Sequence, residues 1–167
     1  MRVGFGYDVH PLITGRQLVL GGQNIPFDKG LEGYSDADVL VHAIMDALLG
    51  AAGLKDIGTQ FPSGDTEYEN ISSLVLLERV NRLLRQKEFE IGNIDATVVA
   101  QQPKIASYID SMCDTISKTL EIQPGQIMVK ATTTDGIGSI GKGEGIAAYA
   151  VVLILKKDWS KSQGNYV

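Results

Sequence analysis

The last predicted strand, residues 146–155, most constrains how this chain can fold. It reads Ile-Ala-Ala-Tyr-Ala-Val-Val-Leu-Ile-Leu, without the alternation of apolar and polar side chains that marks a strand with one solvated face. A continuous apolar strand is typically buried on both faces of its sheet. The sequence predicts only three long helices, which are enough to cover one side of a sheet. We therefore expect a partner on the other side, most simply another copy of the chain.

Hydrophobic periodicity gives the remaining elements. It predicts strands at about 2–10, 17–20, 24–27, 93–101 and 127–134, and helices at about 36–53, 71–87 and 103–120. Ser35 is the predicted N-cap of the first helix, with Asp36 and Asp38 in its first turn. Residues 55–70 are expected to form a loop. We assign residues 1–157 to a single domain and residues 158–167 to a polar C-terminal tail.

Composition argues against several kinds of partner. The net charge is −5, there is no basic block and aromatic residues make up 7%, so we expect no nucleic-acid partner. No apolar run approaches the length of about 18 residues that spans a membrane. The N-terminus leads directly into a strand, so we expect no secretory signal. Cys113 is the only cysteine and is predicted to be a packed core thiol. We expect a bacterial cytoplasmic protein, or an organellar matrix protein if a transit segment has been removed.

Asp8, His10 and His42 are the candidate metal ligands. His10 and His42 are the only histidines in the chain. Asp8 and His10 alternate in a strand and therefore point to one face, while His42 lies on a predicted helix beside Asp38 and Asp46, each four residues away. Two imidazoles and one carboxylate form a common ligand set for catalytic zinc, and also for non-haem iron. The alternative is that both histidines are ordinary core or surface residues.

Two later segments are candidates for phosphate binding. The glycine-rich residues 136–145 do not form a Walker A motif, because Lys142 is followed by Gly143, and a strand rather than a helix follows them. Residues 130–135, Lys-Ala-Thr-Thr-Thr-Asp, place three hydroxyls and a carboxylate at a strand end, which suits a metal–diphosphate contact. The alternatives are a tight connection between strands and threonines favoured by strand propensity.

Motifs in order along almost the whole chain carry a family resemblance. They are Gly6-Tyr-Asp-Val-His10, Ser35-Asp-Ala-Asp38 with His42, Asp46-Ala-Leu-Leu-Gly-Ala-Ala52, Asp56-Ile-Gly58, Phe61-Pro62, Ala100-Gln-Gln-Pro-Lys104, Lys130-Ala-Thr-Thr-Thr134 and Gly143-Glu-Gly-Ile-Ala147. Together they resemble the 2-C-methyl-D-erythritol 2,4-cyclodiphosphate synthases of the non-mevalonate isoprenoid pathway. The resemblance implies an α+β subunit with a four-stranded mixed sheet and helices on one side, assembled as a homotrimer with active sites between subunits.

The resemblance also implies an activity and a role for each matching position. The family converts 4-diphosphocytidyl-2-C-methyl-D-erythritol 2-phosphate to the cyclic diphosphate and releases CMP. By this correspondence Asp8, His10 and His42 would hold zinc, Ser35 would contact phosphate, and Asp135 would help to hold magnesium or manganese at the diphosphate. The expected methylerythritol-binding residues are Asp56, Ile57, Gly58, Phe61, Pro62, Ser63, Gly64 and Asp65. The expected cytidine and diphosphate contacts are Ala100, Gln101, Gln102, Pro103, Lys104, Ile105, Ala106, Ala131, Thr132, Thr133, Thr134, Ser139 and Lys142, with Thr133 as the expected transition-state stabiliser.

The chain departs from the family pattern at a few of these positions. Tyr34 replaces a histidine that is thought to help to stabilise the transition state. A phenol stays neutral near pH 7, but it can donate a hydrogen bond, and we expect Tyr34 to serve as a catalytic, substrate-binding donor in this way. Ser63 and Asp135 stand where some members have Asp and Glu. Lys142 and Tyr149 replace an Arg and a Glu near the rim of the central trimer cavity, where some members hold an isoprenoid diphosphate. Lysine cannot make the planar two-pronged phosphate contact of arginine, so isoprenoid binding stays an open question here.

Two other functions are compatible with part of the pattern. A non-haem iron oxygenase would use the same two histidines and carboxylate, but it gives no reason for residues 100–104 and 132–134. A non-catalytic, metal-stabilised trimer that binds nucleotide would result if Tyr34 impaired turnover. Metal identity distinguishes the first alternative from the synthase, and CMP release distinguishes the second.

Overall fold

The computed structural model describes residues 1–157, and the predicted tail at 158–167 lies outside them. The strands are β1 (Arg2–Thr14), β2 (Leu18–Leu20), β3 (Gln23–Ile25), β4 (Lys29–Leu31), β5 (Phe89–Val99), β6 (Ile127–Thr132) and β7 (Gly145–Lys156). The helices are α1 (Val39–Ala52), α2 (Ile57–Gln60), α3 (Ser73–Gln86), α4 (Ile109–Leu120) and α5 (Gly138–Gly141). No helix within the described range is long and apolar enough to cross a membrane.

The fold is α+β, as the sequence indicated. The main sheet has the order β4-β1-β7-β5-β6, and only β5 and β6 pair in parallel. Its four long strands match the expected four-stranded mixed sheet. A fifth strand, β4, adds three residues at the edge of β1, pairing Leu31 with Leu12. Three residues are too few for a period-2 pattern to be read, so this strand left no signal in the sequence.

Two glycines bring α1 unusually close to β1. A side chain at Gly4 would place its Cβ 1.9 Å from the Ala47 carbonyl oxygen, and one at Gly6 would lie 1.9 Å from the Ala43 carbonyl oxygen. The helix backbone therefore rests directly on the strand, with small alanines at the contact. Because residues two apart on a strand share a face, Asp8 continues the line of Gly4 and Gly6 toward the same helix.

The first helix begins later than predicted. It starts at Val39, and its N-cap is Asp38 rather than Ser35. Ala37 has a left-handed backbone (φ 58°), which a right-handed helix cannot include. The Asp38 carboxylate is fully buried and accepts the N–H groups of Val41, Gly21 and Gly22, so it joins the helix to the β2–β3 hairpin. Burial raises the pKa of Asp38 to about 6, although these N–H groups oppose the shift.

Other predicted boundaries and contacts also differ. The helix predicted from Pro103 begins only at Ile109, because residues 100–105 form an irregular segment after β5. Asp46, beside His42 on α1, joins this helix to α2, because its carboxylate accepts the Ile57 N–H at 2.8 Å. The connection at 136–145 contains the short helix α5. Cys113 is half-buried rather than fully packed, and burial raises the pKa of its thiol.

The face of the sheet opposite the helices is apolar over β1 and β7 and is exposed in the single chain, whereas β5 and β6 add the Asp95–Lys130 ion pair to it. In β7, Ala148, Ala150 and Val152 are buried on the helix side, whereas Tyr149 and Val151 are 42% and 45% exposed. Strand β1 adds Val3, Phe5, Tyr7 and Val9 to the exposed apolar residues. We call this surface the open sheet face. The prediction that both faces of β7 are buried holds for one face within the chain, and burial of the other face stays a prediction.

Candidate active site

Asp8, His10 and His42 converge on one point, as the sequence predicted. The Oδ2 atom of Asp8 lies 2.9 Å from His10 Nε2 and 3.0 Å from His42 Nδ1, and the two imidazole nitrogens are 3.3 Å apart. Three ligands bound tetrahedrally to zinc at about 2.0–2.1 Å would lie roughly 3.3 Å from one another. The donor set and its spacing therefore fit a small divalent metal with little movement.

The opposite ring nitrogens of both histidines are also engaged. His10 Nδ1 lies 2.6 Å from the Glu32 carbonyl oxygen, in the segment that follows β4. His42 Nε2 lies 2.9 Å from Ser73 Oγ and 3.2 Å from Ser35 Oγ. The predicted phosphate contact Ser35 is thus buried against His42 instead of capping the helix. Neither Glu32 nor Ser73 was predicted from the sequence.

The electrostatics of the cluster favour a negative Asp8. Burial would raise the Asp8 pKa, but hydrogen bonds and charge from His10 and His42 outweigh it and hold the pKa well below its usual range. Burial would lower the His10 pKa, but the hydrogen bond and charge of Asp8 outweigh that effect and raise it. The carboxylate is therefore ionised at neutral pH and ready to bind a cation.

A cavity of about 430 Å³ opens beside the metal cluster. It is lined by Asp8, His10, Tyr34, Ser35, His42, Ile57, Gly58, Phe61, Pro62, Ser63, Gly64, Tyr68 and Leu76. The predicted methylerythritol loop therefore surrounds this cavity. Two members of that loop lie outside this lining: Asp56 caps α2 through the Thr59 N–H, and the Asp65 carboxylate accepts the Glu67 N–H. The Tyr34 hydroxyl donates to the Asp65 carbonyl oxygen at 3.1 Å.

A second cavity, of about 180 Å³, lies where β5 and β6 end. It is lined by Ala100, Gln101, Pro103, Lys104, Ile105, Ala106, Ala131, Thr132 and Thr133, which were predicted to contact cytidine and diphosphate. The Thr133 hydroxyl donates to the Asp135 carboxylate at 3.0 Å, and Gln101 Oε1 accepts the Gly136 N–H.

The remaining predicted contacts lie outside this second cavity. Gln102 is not part of its lining, and the Thr134 hydroxyl donates to the Ile137 carbonyl oxygen. Ser139 lies within α5 and Lys142 caps its C-terminus. These residues reach a bound diphosphate only if substrate extends beyond the cavity.

Both cavities open at the same end of the sheet. His10 pairs with Ile146 at the start of β7, and Val99, at the end of β5, pairs with Ala147. The order β1-β7-β5-β6 puts three strand spacings, roughly 14 Å, between the metal cluster and the end of β6. One chain therefore presents two separate cavities along one edge.

Comparison with known proteins identifies the family. The model of the YgbB family matches residues 1–155. The 2-C-methyl-D-erythritol 2,4-cyclodiphosphate synthase of Pelotomaculum thermopropionicum is 60% identical over 156 residues, which cover 93% of this chain and 96% of that protein. The chain belongs to this family. The synthase of Clostridium acetobutylicum is 54% identical over 155 residues, covering 93% of this chain and all of that protein.

Solved structures of family members share the fold. The bifunctional IspDF protein of Campylobacter jejuni superposes with a TM-score of 0.91 at 42% identity, covering 95% of this chain but only 43% of that protein. IspF of Plasmodium falciparum, solved as a CDP complex, gives a TM-score of 0.83 at 36% identity, covering 93% of this chain and 96% of that one. The α+β architecture of the family is therefore the architecture of this chain.

Proposed function

We propose that this chain converts 4-diphosphocytidyl-2-C-methyl-D-erythritol 2-phosphate to 2-C-methyl-D-erythritol 2,4-cyclodiphosphate and CMP, acting as a phosphorus–oxygen lyase. The observation that carries the proposal is the convergence of Asp8, His10 and His42 beside one cavity, with a second cavity at the same sheet end, in a member of this family. The iron oxygenase alternative gives no role to the second cavity.

The reaction needs no external nucleophile. An oxygen of the 2-phosphate forms a bond to the β-phosphorus, the bond from that phosphorus to the oxygen bridging to the α-phosphate breaks, and CMP leaves with that oxygen. The chain must therefore align two phosphates and offset their negative charge. Zinc held by Asp8, His10 and His42 would polarise a phosphate oxygen, and magnesium or manganese near Asp135 would neutralise the diphosphate. Thr132, Thr133 and Lys104 offer donors to the diphosphate from the second cavity.

We further propose that the active unit is a homotrimer. The open sheet face is apolar over β1 and β7, and a contiguous exposed apolar surface of this kind typically marks an interface. Packing it against other copies would also allow the metal cluster of one subunit to approach the second cavity of its neighbour. The CDP complex of the Plasmodium falciparum protein supports the assignment of a cytidine nucleotide to the family site.

The decisive assay is CMP release from the authentic substrate. We expect release to require divalent metal, to stop when a chelator removes it, and to return when zinc and magnesium are added. His42→Ala should lose zinc and activity together, because it removes one of three ligands. Val75→Lys, at an exposed position of α3 that lines neither cavity, serves as a matched control that keeps both properties. Full zinc occupancy in His42→Ala, or an absence of CMP release by the metal-loaded wild type, would contradict the proposal.

A further inference from the structure

The Nε2 atom of His42 faces a buried serine that lies 31 residues away in the chain. Ser73 Oγ is 2.9 Å from this nitrogen, and Ser73 is fully buried at the first position of α3. His42 is also almost fully buried, with 7% of its surface exposed. The imidazole orientation is therefore set by protein groups rather than by solvent.

The Ser73 hydroxyl donates its only proton to Asp36. The Asp36 carboxylate accepts the Ser73 hydroxyl through Oδ1 and the Ser73 backbone N–H through Oδ2 at 2.9 Å, and the Asp38 N–H also donates to it. A hydroxyl has one proton and a carboxylate has none to give. Ser73 Oγ can therefore only accept from His42, so His42 Nε2 carries a proton. In the neutral ring Nδ1 then presents its lone pair, 3.0 Å from Asp8 Oδ2.

His10 is held in the opposite form. Its Nδ1 lies 2.6 Å from the Glu32 carbonyl oxygen, which can only accept, so Nδ1 keeps a proton. The proton that leaves when the ring becomes neutral is the one on Nε2, which faces Asp8, and Nε2 then presents its lone pair. The two histidines thus use different nitrogens to reach the same point. Each lone pair is directed by the hydrogen bond on the far side of its own ring.

We propose that Ser73, backed by Asp36, is the positioning residue that fixes His42 in the Nε2–H tautomer and directs Nδ1 to the metal. The inference rests on the proposed metal site and assigns a role to two residues that need not touch substrate or metal. Ser35 is the weaker partner of His42, because it lies 3.2 Å away and its oxygen already accepts the Ala37 N–H. Loss of a hydrogen-bond partner on the far side of a metal-binding histidine typically weakens metal affinity by about 10- to 100-fold.

The tautomers can be read directly, because the chain has only two histidines. Ring-nitrogen NMR on uniformly ¹⁵N-labelled, metal-free protein at pH 8 should show one Nε2–H ring, His42, and one Nδ1–H ring, His10. A His10→Gln variant assigns the two signals. An Nδ1–H form of His42 in the wild type would overturn the proposal, and this measurement does not depend on whether zinc binds.

Asp36→Asn gives a signature that a merely structural role would not produce. Two backbone N–H groups compete for the single Asn oxygen, and the Ser73 N–H at 2.9 Å is the closer donor than the Asp38 N–H at 3.3 Å. The oxygen therefore faces the Ser73 N–H, and the NH₂ group faces Ser73 Oγ and donates to it. The Ser73 proton is then free to point at His42 Nε2, which favours the Nδ1–H tautomer. We expect the His42 signal to shift toward that form and the zinc dissociation constant, measured by chelator competition, to rise about tenfold or more. An unchanged tautomer with unchanged affinity would overturn the proposal.

Direct removal of the hydroxyl completes the test. Ser73→Ala should weaken zinc binding about 10- to 100-fold, whereas Ser73→Thr should retain most of the affinity because it keeps the hydroxyl. Ser72→Ala is the matched control, since Ser72 caps the same helix through the Leu74 N–H but does not contact His42. Wild-type affinity in Ser73→Ala, or a loss confined to Ser35→Ala, would overturn the assignment. If the wild type binds no zinc, the proposed metal site fails, while the tautomer measurement still decides the role of Ser73.

Discussion

At the scale of single residues, zinc and a proton compete for His10. Asp8 raises the His10 pKa above its usual value of about 6.5 in the metal-free chain, against the effect of burial. In the metal-free chain, the ion pair of Asp8 and protonated His10 makes its full contribution to stability below pH 6.5. That contribution is lost as the pH rises through the folded-state pKa of His10. Zinc binding requires the neutral ring, so the bound proton must be released.

We therefore predict that zinc affinity rises with pH. Below the His10 pKa, each pH unit should strengthen binding up to about tenfold, and above that pKa the dependence should flatten. Dissociation constants measured by chelator competition at pH 6, 7 and 8, corrected for protonation of the chelator, provide the test. Equal affinities across this range would show that the His10 proton does not compete with the metal.

Tyr34 has a structural contact that its sequence position did not indicate. Its hydroxyl donates a hydrogen bond to the Asp65 carbonyl oxygen. Asp65 directly follows Pro62, Ser63 and Gly64, which line the first cavity. Tyr34→Phe should free this loop and slow CMP release on the order of tenfold, or about 1.4 kcal/mol in the barrier, with zinc occupancy unchanged. Tyr34→His tests whether the family's usual residue raises the rate. A wild-type rate for Tyr34→Phe would leave position 34 without a role in turnover.

At the scale of elements, the contact between α1 and β1 determines whether the metal ligands meet. Gly6→Ala should separate the helix from the strand, because its Cβ would lie 1.9 Å from the Ala43 carbonyl oxygen. Overpacking a core contact typically costs about 1–3 kcal/mol, and backbone against backbone has little room to adjust. We predict a loss of at least that size in unfolding free energy by denaturant titration, together with weaker zinc binding.

Gly50→Ala is the matched control for this prediction. Gly50 lies in the same helix, is exposed, and has open space where a Cβ would be. Replacing glycine with alanine in a helix interior should stabilise the protein by up to about 1 kcal/mol. If Gly6→Ala were as stable as Gly50→Ala, the close approach of α1 to β1 would not be what positions His42.

The elements also show which parts of the molecule can be predicted from sequence. Long periodic segments and the Asp8–His10 alternation depend on neighbouring residues, so β1, α3 and the convergence of the metal ligands could be predicted. The start of α1 could not, because it depends on the left-handed Ala37 and on burial of Asp38 against a distant hairpin. The partners of the two histidines lie 22 and 31 residues away, and no local spacing encodes such contacts.

At the scale of the whole molecule, two features of the single chain favour association with further copies. The metal cluster and the second cavity stand three strands apart, and the open sheet face exposes Phe5, Tyr149 and Val151 to solvent. Exposed aromatic and β-branched residues cost solubility unless another surface covers them. Association through this face would bury them and would explain why the final strand carries apolar residues toward both sides.

We predict that Val151→Lys separates the assembly into folded monomers. Val151 is 45% exposed in the single chain and lies between Phe5 on β1 and Asp95 on β5, and the Asp95 carboxylate is already paired with Lys130. A lysine at position 151 can therefore reach solvent in a monomer but would bring an unmatched positive charge into an interface. Burying an unpaired charge costs several kcal/mol, enough to dissociate subunits at micromolar concentration. Light scattering should give a trimer for the wild type and for Val75→Lys, and a monomer for Val151→Lys, with similar circular dichroism for all three. Under the proposed trimer, each active site combines the metal cluster of one subunit with the second cavity of its neighbour, so the monomer should bind zinc but release no CMP. A wild-type monomer, or an active Val151→Lys monomer, would show that one chain completes the site alone.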